Sequence, residues 1–259
     1  MNYIYDEEAL DQLEQEEFSE VEKFLLILFG IMLLLRTELE DAIRIFYQKY
    51  GINGVVTYHQ ARKWISNTNH HRRLNVLLAT IRDKFNISNE RLKVEFEAAL
   101  NQVISKELGF FDVDLDADSI NAIKTAEWGT DELNWSDRLD KNILLWSAYV
   151  ATDLKHSMIR QDHLEDVLDQ IEDRFESIEK SLRKLIVSEA SATNSLTRHR
   201  IFEELGILKY QFFTRVDERR CEVCGSMHGR IFSMSEYEIG VTASPLHSHC
   251  RCWEVPIRE

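Results

Sequence analysis

Proline and glycine are scarce, with 2 and 9 among 259 residues. A sheet-rich chain with many tight turns needs more of both, so a mainly helical protein is expected. Basic residues are missing from the first 20 positions, which instead hold eight carboxylates: Asp6, Glu7, Glu8, Asp11, Glu14, Glu16, Glu17 and Glu20. An export signal begins with a basic stretch, so none is expected here, and this acidic end reads as a solvated helix or a tail. The apolar run Phe24 to Leu35 (FLLILFGIMLLL) has 12 residues, short of the roughly 20 that a spanning helix requires. It is expected to enter a core or a subunit interface, not a membrane. Basic charge is in deficit overall: 31 Lys and Arg against 45 Asp and Glu give a net charge of −14. That is the wrong sign for a general phosphate-backbone binder, so charge does not support DNA binding. The imbalance lies before residue 190, because the remainder carries 9 basic and 9 acidic side chains. Phosphate-cradling glycine loops and nucleophile elbows are also missing.

What is present is a succession of helical patterns. Short ones run from Gln60 to Asn67, His71 to Phe85, Asn89 to Leu108 and Asp118 to Ala126, with Ser88 as a cap for the third and Asp116 or Asp118 for the fourth. A polar interval, Glu127 to Ser136, precedes a longer helix whose Leu139, Ile143, Trp146, Val150 and Leu154 recur at threes and fours, with Ser136 as its expected N-cap. Asp162 and Glu165 form a possible capping box. Behind it Leu164, Leu168, Ile171, Phe175, Ile178, Leu182 and Leu185 make a heptad seam, expected to pack on the preceding helix as an antiparallel hairpin. A further helix, Ser191 to Leu205, ends at Gly206. His70-His71 sits in a polar context and is expected to face solvent.

From Ile207 the texture changes. Both prolines and all four cysteines fall there, and Ile207 to Val216 and Arg230 to Phe232 favour strands. A module of about 50 residues usually needs a staple beyond its hydrophobic core. Cys221-x-x-Cys224 and His247-x-x-Cys250-x-Cys252 have close to the spacing of a structural zinc site, in which two turns converge on one ion. The expected ligands are Cys221, Cys224, His247 and Cys250, with Cys252, His249 and His228 as substitutes that spacing alone leaves open. Disulfides rank below zinc without an export signal, and redox chemistry ranks lower still, because no βαβ context surrounds Cys221.

From Asp217 the chain reads D-x-x-x-C-x-x-C-x-x-x-x-G-x-x-F, followed by P-x-H-x-x-C-R-C and a final proline. Asp217, Cys221, Cys224, Gly229, Phe232, Pro245, His247, Cys250, Arg251, Cys252 and Pro256 occupy these positions. This string resembles the C-terminal module of phage head-morphogenesis proteins of the Mu F type. Trp135-Ser136-Asp137-Arg138-Leu139 is similar to a segment found upstream in such proteins. Two departures are the Phe212-Phe213 pair where a tryptophan is usual and Ser248 where a proline commonly follows the histidine. The resemblance implies a non-enzymatic minor capsid component inside the head, assembled in the host cytoplasm, with portal, coat or scaffold protein as partners and DNA sometimes accompanied.

The expected fold class is therefore mainly α: an elongated helical body with a long helical hairpin, plus a small C-terminal α+β module stapled by Zn2+. The expected division is an acidic helical region at 1–135, a long-helix hairpin at 136–206 and the Cys/His module at 207–259. The rival reading is a metal-dependent nuclease or toxin-like enzyme, with His247 or His249 as base and Arg251 on the scissile phosphate. A thiolate-saturated metal with no open position argues against it.

Overall fold

The computed structural model describes residues 7–66, 72–218 and 220–257. His70-His71, Asn67, Asp6, Arg219 and Arg258 lie outside the described residues, as do the side chains of Glu7, Glu8 and Glu17. Helix makes up 72% of the described residues, as the scarcity of proline and glycine predicts. The described elements are α1 (Glu7–Tyr50), α2 (Tyr58–Ser66), α3 (Arg72–Phe111), α4 (Ala117–Lys124), α5 (Trp135–Arg160), α6 (Leu164–Glu204), β1 (Lys209–Thr214), α7 (Glu222–Met227), β2 (Ile231–Ser233) and β3 (Cys252–Ile257).

Two expected helix breaks are absent. The patterns on either side of Ser88 form one helix, α3, with Ser88 and Asn89 buried inside it. Asn89 satisfies its amide away from the backbone, donating to Asp140 Oδ1 at 2.6 Å, so a polar pair that reads as a cap is a packed contact. Likewise the heptad seam and the segment from Ser191 are one 41-residue helix, α6. Asn134, not Ser136, caps α5: its Oδ1 accepts from the N–H groups of Ser136 and Asp137 at 2.9 and 3.0 Å. Asp162 does not cap α6, because its carboxylate is taken by Arg160 at 2.6 Å and Gln170 at 3.2 Å. Asp116 caps α4 as expected, accepting from Ser119 N at 2.7 Å. Gly206 ends α6 with φ of 64°, and Ile207 N–H returns to Phe202 O at 2.9 Å, the backbone closure that a left-handed residue permits.

The chain divides into two compact units, each assembled from separate stretches. Unit 2 comprises Leu26–Val94 and Leu139–Leu182. Its core is apolar: Leu28, Met32, Leu35, Leu39, Ile43 and Phe46 of α1 are buried, as are Leu77, Ile81 and Phe85 of α3. From α5 it takes Ile143, Trp146, Val150 and Leu154, and from α6 the seam residues Leu168, Ile171, Phe175, Ile178 and Leu182. Each such side chain contributes about 1.5–3 kcal/mol by leaving water. The expected hairpin is intramolecular and antiparallel: Arg174 Nε donates to Asp153 at 2.6 Å and Ser157 Oγ to Gln170 at 2.9 Å. The apolar run of α1 splits by face. Leu28, Met32 and Leu35 are buried, whereas Leu26 is 73% exposed and Ile27, Leu33 and Leu34 are also open.

Unit 1 comprises Met1–Leu25, Glu95–Arg138 and Arg183–Glu259. Its axis is the second part of α6, which is buried nearly all round from Ile186 to Phe202 yet built of Ala190, Ala192, Thr193, Asn194, Ser195 and Thr197. Small side chains let neighbouring backbones approach on every side. The antiparallel sheet, in the order β2-β1-β3, is part of this unit. Central β1 pairs Tyr210 with Phe232 on one edge and Thr214 with Cys252 on the other. Pro256 lies in edge strand β3, where its missing N–H costs no central ladder bond. Phe213 stacks on Trp253 with ring centroids 6.1 Å apart, so aromatic packing fills the strand that bears the Phe212-Phe213 pair.

Candidate metal centre

The two Cys/His pairs lie on two turns of unit 1. Cys221 is the N-cap of α7, its sulfur accepting from Cys224 N–H at 3.3 Å. His247 and Cys250 sit in the loop before β3, closed by Cys250 N–H on His247 O at 3.1 Å. Asp217 and Arg251 clamp the turns together through two parallel bonds of 2.6 and 2.7 Å. Such a fork adds geometric specificity, which accounts for an Asp before the first cysteine and an Arg after the third.

His247 Nε2 lies 3.1 Å from the sulfurs of both Cys221 and Cys224, and Cys224 Sγ lies 3.7 Å from Cys250 Sγ. The donor atoms form two overlapping groups, Cys221-Cys224-His247 and Cys224-Cys250-Cys252, with Cys224 common to both. The Nδ1 atom of His247 is 2.8 Å from Ser248 O. A proton on Nδ1 would be held by that carbonyl, leaving the Nε2 lone pair directed at the thiols, the tautomer that metal ligation requires. The five residues named for the site thus fall into two groups of three that share Cys224. His228 does not join them: its Nδ1 accepts from Thr214 N–H at 3.2 Å and so serves the end of β1. His249 is exposed and belongs to neither donor group.

The thiols compete for one charge. Hydrogen bonds from Cys224 and then Cys252 hold the Cys250 thiol below its ordinary value. Bonding to Cys250 raises Cys224 and Cys252 in turn, with burial adding to both. The Cys224 backbone N–H lowers Cys221. Burial works against protonation of His247, but the Ser248 carbonyl and the thiols of Cys250 and Cys221 outweigh it and raise its pKa. A divalent cation relieves this competition by neutralising several thiolates together. Sulfur donors and an imidazole suit a soft or borderline cation, and these clusters could hold a metal ion.

Around the centre lies a polar network that sequence reasoning missed. Arg198 of α6, 0% exposed, donates Nε and Nη2 to the Glu107 carboxylate of α3 at 2.8 and 2.7 Å, and Nη2 to Glu14 of α1 at 2.7 Å. Glu254, fully buried in β3, accepts from Ser244 N–H at 2.7 Å and Ser195 Oγ at 3.0 Å. The Tyr237 hydroxyl donates to Ser195 O at 2.7 Å. Burial raises the pKa of Glu254, and it raises Glu14 to about 7 against the pull of Arg198. The Cys/His module is thus pinned to α6 by buried polar groups as well as by its aromatic core. A second cluster links Trp128, Asp131, Arg138 and Glu189. Arg138 lies over the Trp128 ring at 4.1 Å, donates to Glu189 at 2.8 Å and bonds Asp131 at 2.6 Å. The available signals were a glutamate in the otherwise apolar strand C-W-E-V-P-I and an arginine amid the small residues of α6.

No curated protein and no solved structure matches the chain. Residues 148–255 match the family model described as Phage Mu protein F like protein. The match takes in the second half of α5, all of α6 and both cysteine pairs, starts downstream of the Trp135–Leu139 segment, and leaves residues 1–147 unmatched. With the donor residues and the Asp217–Arg251 clamp falling inside it, residues 148–255 are similar to the Mu F-type phage head-morphogenesis family, as the resemblance of the C-terminal string implied.

Proposed function

We propose that this chain is a non-enzymatic minor head protein of a phage, housed inside the head and supporting head assembly through contacts with portal, coat or scaffold protein. The observation that carries this reading is the Mu F-like match over a convergent Cys/His cluster. On this reading a structural Zn2+ held by Cys221, Cys224, His247 and Cys250, with Cys252 in reserve, staples the module at 207–259, and assembly takes place in the host cytoplasm. Zinc would supply folding energy and no chemistry. The contact element proposed is the open side of α1, where Leu26, Ile27, Leu33 and Leu34 remain exposed. Such clustering of large apolar side chains is what a partner surface covers. Among the described residues no helix is long and apolar enough to cross a membrane.

The nuclease reading has less support. Arg251, which would contact the phosphate, is committed to Asp217, and both ring nitrogens of His247 are engaged by Ser248 O and the thiols. The deciding experiment is co-purification of Leu26→Glu/Leu33→Glu protein with portal and coat proteins from infected cells. Folded variant that no longer enters heads supports the docking role. Normal incorporation removes α1 as the contact element, and absence of the wild-type protein from heads and assembly intermediates ends the head-protein reading.

A further inference from the structure

Unit 2 holds a groove of about 420 Å3 between α1 and α3, lined by Ala42, Ile45, Phe46, Lys49 and Tyr50 on one side and Arg72, Arg73, Val76, Leu77 and Thr80 on the other. Its floor is apolar, and its two most open aliphatic residues, Ile45 and Val76, are 62% and 61% exposed. Three of its ten lining residues are cations and none is a carboxylate, in a chain whose net charge is −14. Lys49 and Arg73 both lie over the Tyr50 ring, at 5.4 and 4.8 Å from its centre. Tyr50 is itself wedged against Phe46 and Trp64, with centroids 5.0 and 6.1 Å away. A guanidinium stacked on a ring keeps its edge N–H donors free to fork onto a carboxylate.

We propose that this groove is a docking site for an acidic segment of a partner protein, one in which carboxylates alternate with aliphatic side chains. The carboxylates would meet Lys49, Arg72 and Arg73, and an aliphatic side chain would fill the space between Ile45 and Val76. Charge complementarity selects this occupant: an apolar peptide would leave three cations facing uncharged atoms, and a basic one would be repelled. A nucleic acid would bring a phosphate every few ångströms against a chain carrying 14 excess negative charges, whereas a short acidic segment presents its charge only where the cations stand. The site is separate from the exposed leucines in the middle of α1 and does not depend on which assembly the chain belongs to.

The test is fluorescence anisotropy on the full chain. The probe is a labelled synthetic peptide, Asp-Ile-Asp-Val-Asp-Ile-Asp, with an all-Asn version and a labelled oligo-dT alongside. The proposal expects saturable binding of the Asp peptide at low salt, about tenfold tighter than the Asn peptide and weakened by added salt. Arg72→Glu/Arg73→Glu should lower affinity about tenfold and remove the salt dependence, and Ile45→Ser should weaken it with the salt dependence intact. These positions are exposed, so circular dichroism should confirm an unchanged fold. Equal binding of the two peptides, no saturable binding, or tighter binding of oligo-dT would each overturn the proposal.

Discussion

The two parts of α6 run through the two units under opposite packing rules. In unit 2 the helix shows a stripe of Leu168, Ile171, Phe175, Ile178 and Leu182, with polar residues on its other faces. In unit 1 it is buried on all sides by small and polar residues, and its largest buried side chain there is the charged Arg198. A stripe of large residues tolerates loss of any one of them at the cost of a cavity. A buried charge network tolerates no unpaired loss, because the remaining partner stays charged in a dry interior. Unit 2 should therefore weaken gradually and unit 1 abruptly.

The sharpest way to break that contrast is to remove the proposed metal or Cys224, which is common to both donor groups. Cys224→Ser touches both donor groups and should abolish metal retention and the fold of the C-terminal module, since a structural zinc contributes on the order of 10 kcal/mol to so small a unit. Cys221→Ser should be nearly as severe, and Cys252→Ser milder. Elemental analysis together with protease resistance of the module reads this out, and metal-free protein that keeps a protected module would refute it.

Next comes Arg198→Met, which strands Glu107 and leaves Glu14 without its cation; about 3–5 kcal/mol should be lost in denaturant unfolding. Pairing it with Glu107→Leu should recover most of the loss. If the double variant is no better than the single one, the network is not the source of the sensitivity. In unit 2, Phe175→Ala should cost about 3 kcal/mol or slightly more, with no recovery from any charge substitution.

A smaller effect is titratable. Because the Glu14 carboxyl is raised to about 7 in the folded protein from 4.5, the folded state binds the proton more tightly. Its contribution is fully present below about pH 4.5 and is lost as pH rises through about 7, on the order of 3 kcal/mol at most. Glu14→Gln should flatten stability across that window, and an unchanged slope would count against the assignment. Smallest of all, Leu26→Glu/Leu33→Glu should shift stability by no more than about 0.5 kcal/mol, because both side chains already face water.

The contrast also explains what was readable in the sequence. The seam, the hairpin, Gly206, two of the three strands and the cysteines and histidine that gather in the two donor groups were legible, because 3–4 apolar spacing and Cys/His spacing are local signals. The continuity of α3 and α6 was not. Ser88-Asn89 and the Ser191 region look like caps, since nothing nearby in sequence reveals that Asp140 or the C-terminal sheet will satisfy or cover them. The strand that holds Cys252, Glu254 and Pro256 is buried on both faces, so it shows no apolar–polar alternation. The run in α1 gave its length but not its two faces: Leu28 is buried, and Leu26, two positions away, is not.

Cutting the units across four helices has a consequence for synthesis. Every stretch of unit 2 has been translated once residue 182 has emerged, so its leucine stripe can close early. Unit 1 must wait, because Glu14 near one end is joined through Arg198 to the backbone of Glu254 near the other, at 3.4 Å. Contacts this distant in sequence form late. On a ribosome stalled a few residues before Glu254, pulse proteolysis should find residues 26–182 already protected while the acidic first turns of α1 are still open to cleavage. The strand that carries Cys252 would thus be the last piece of unit 1 to be placed.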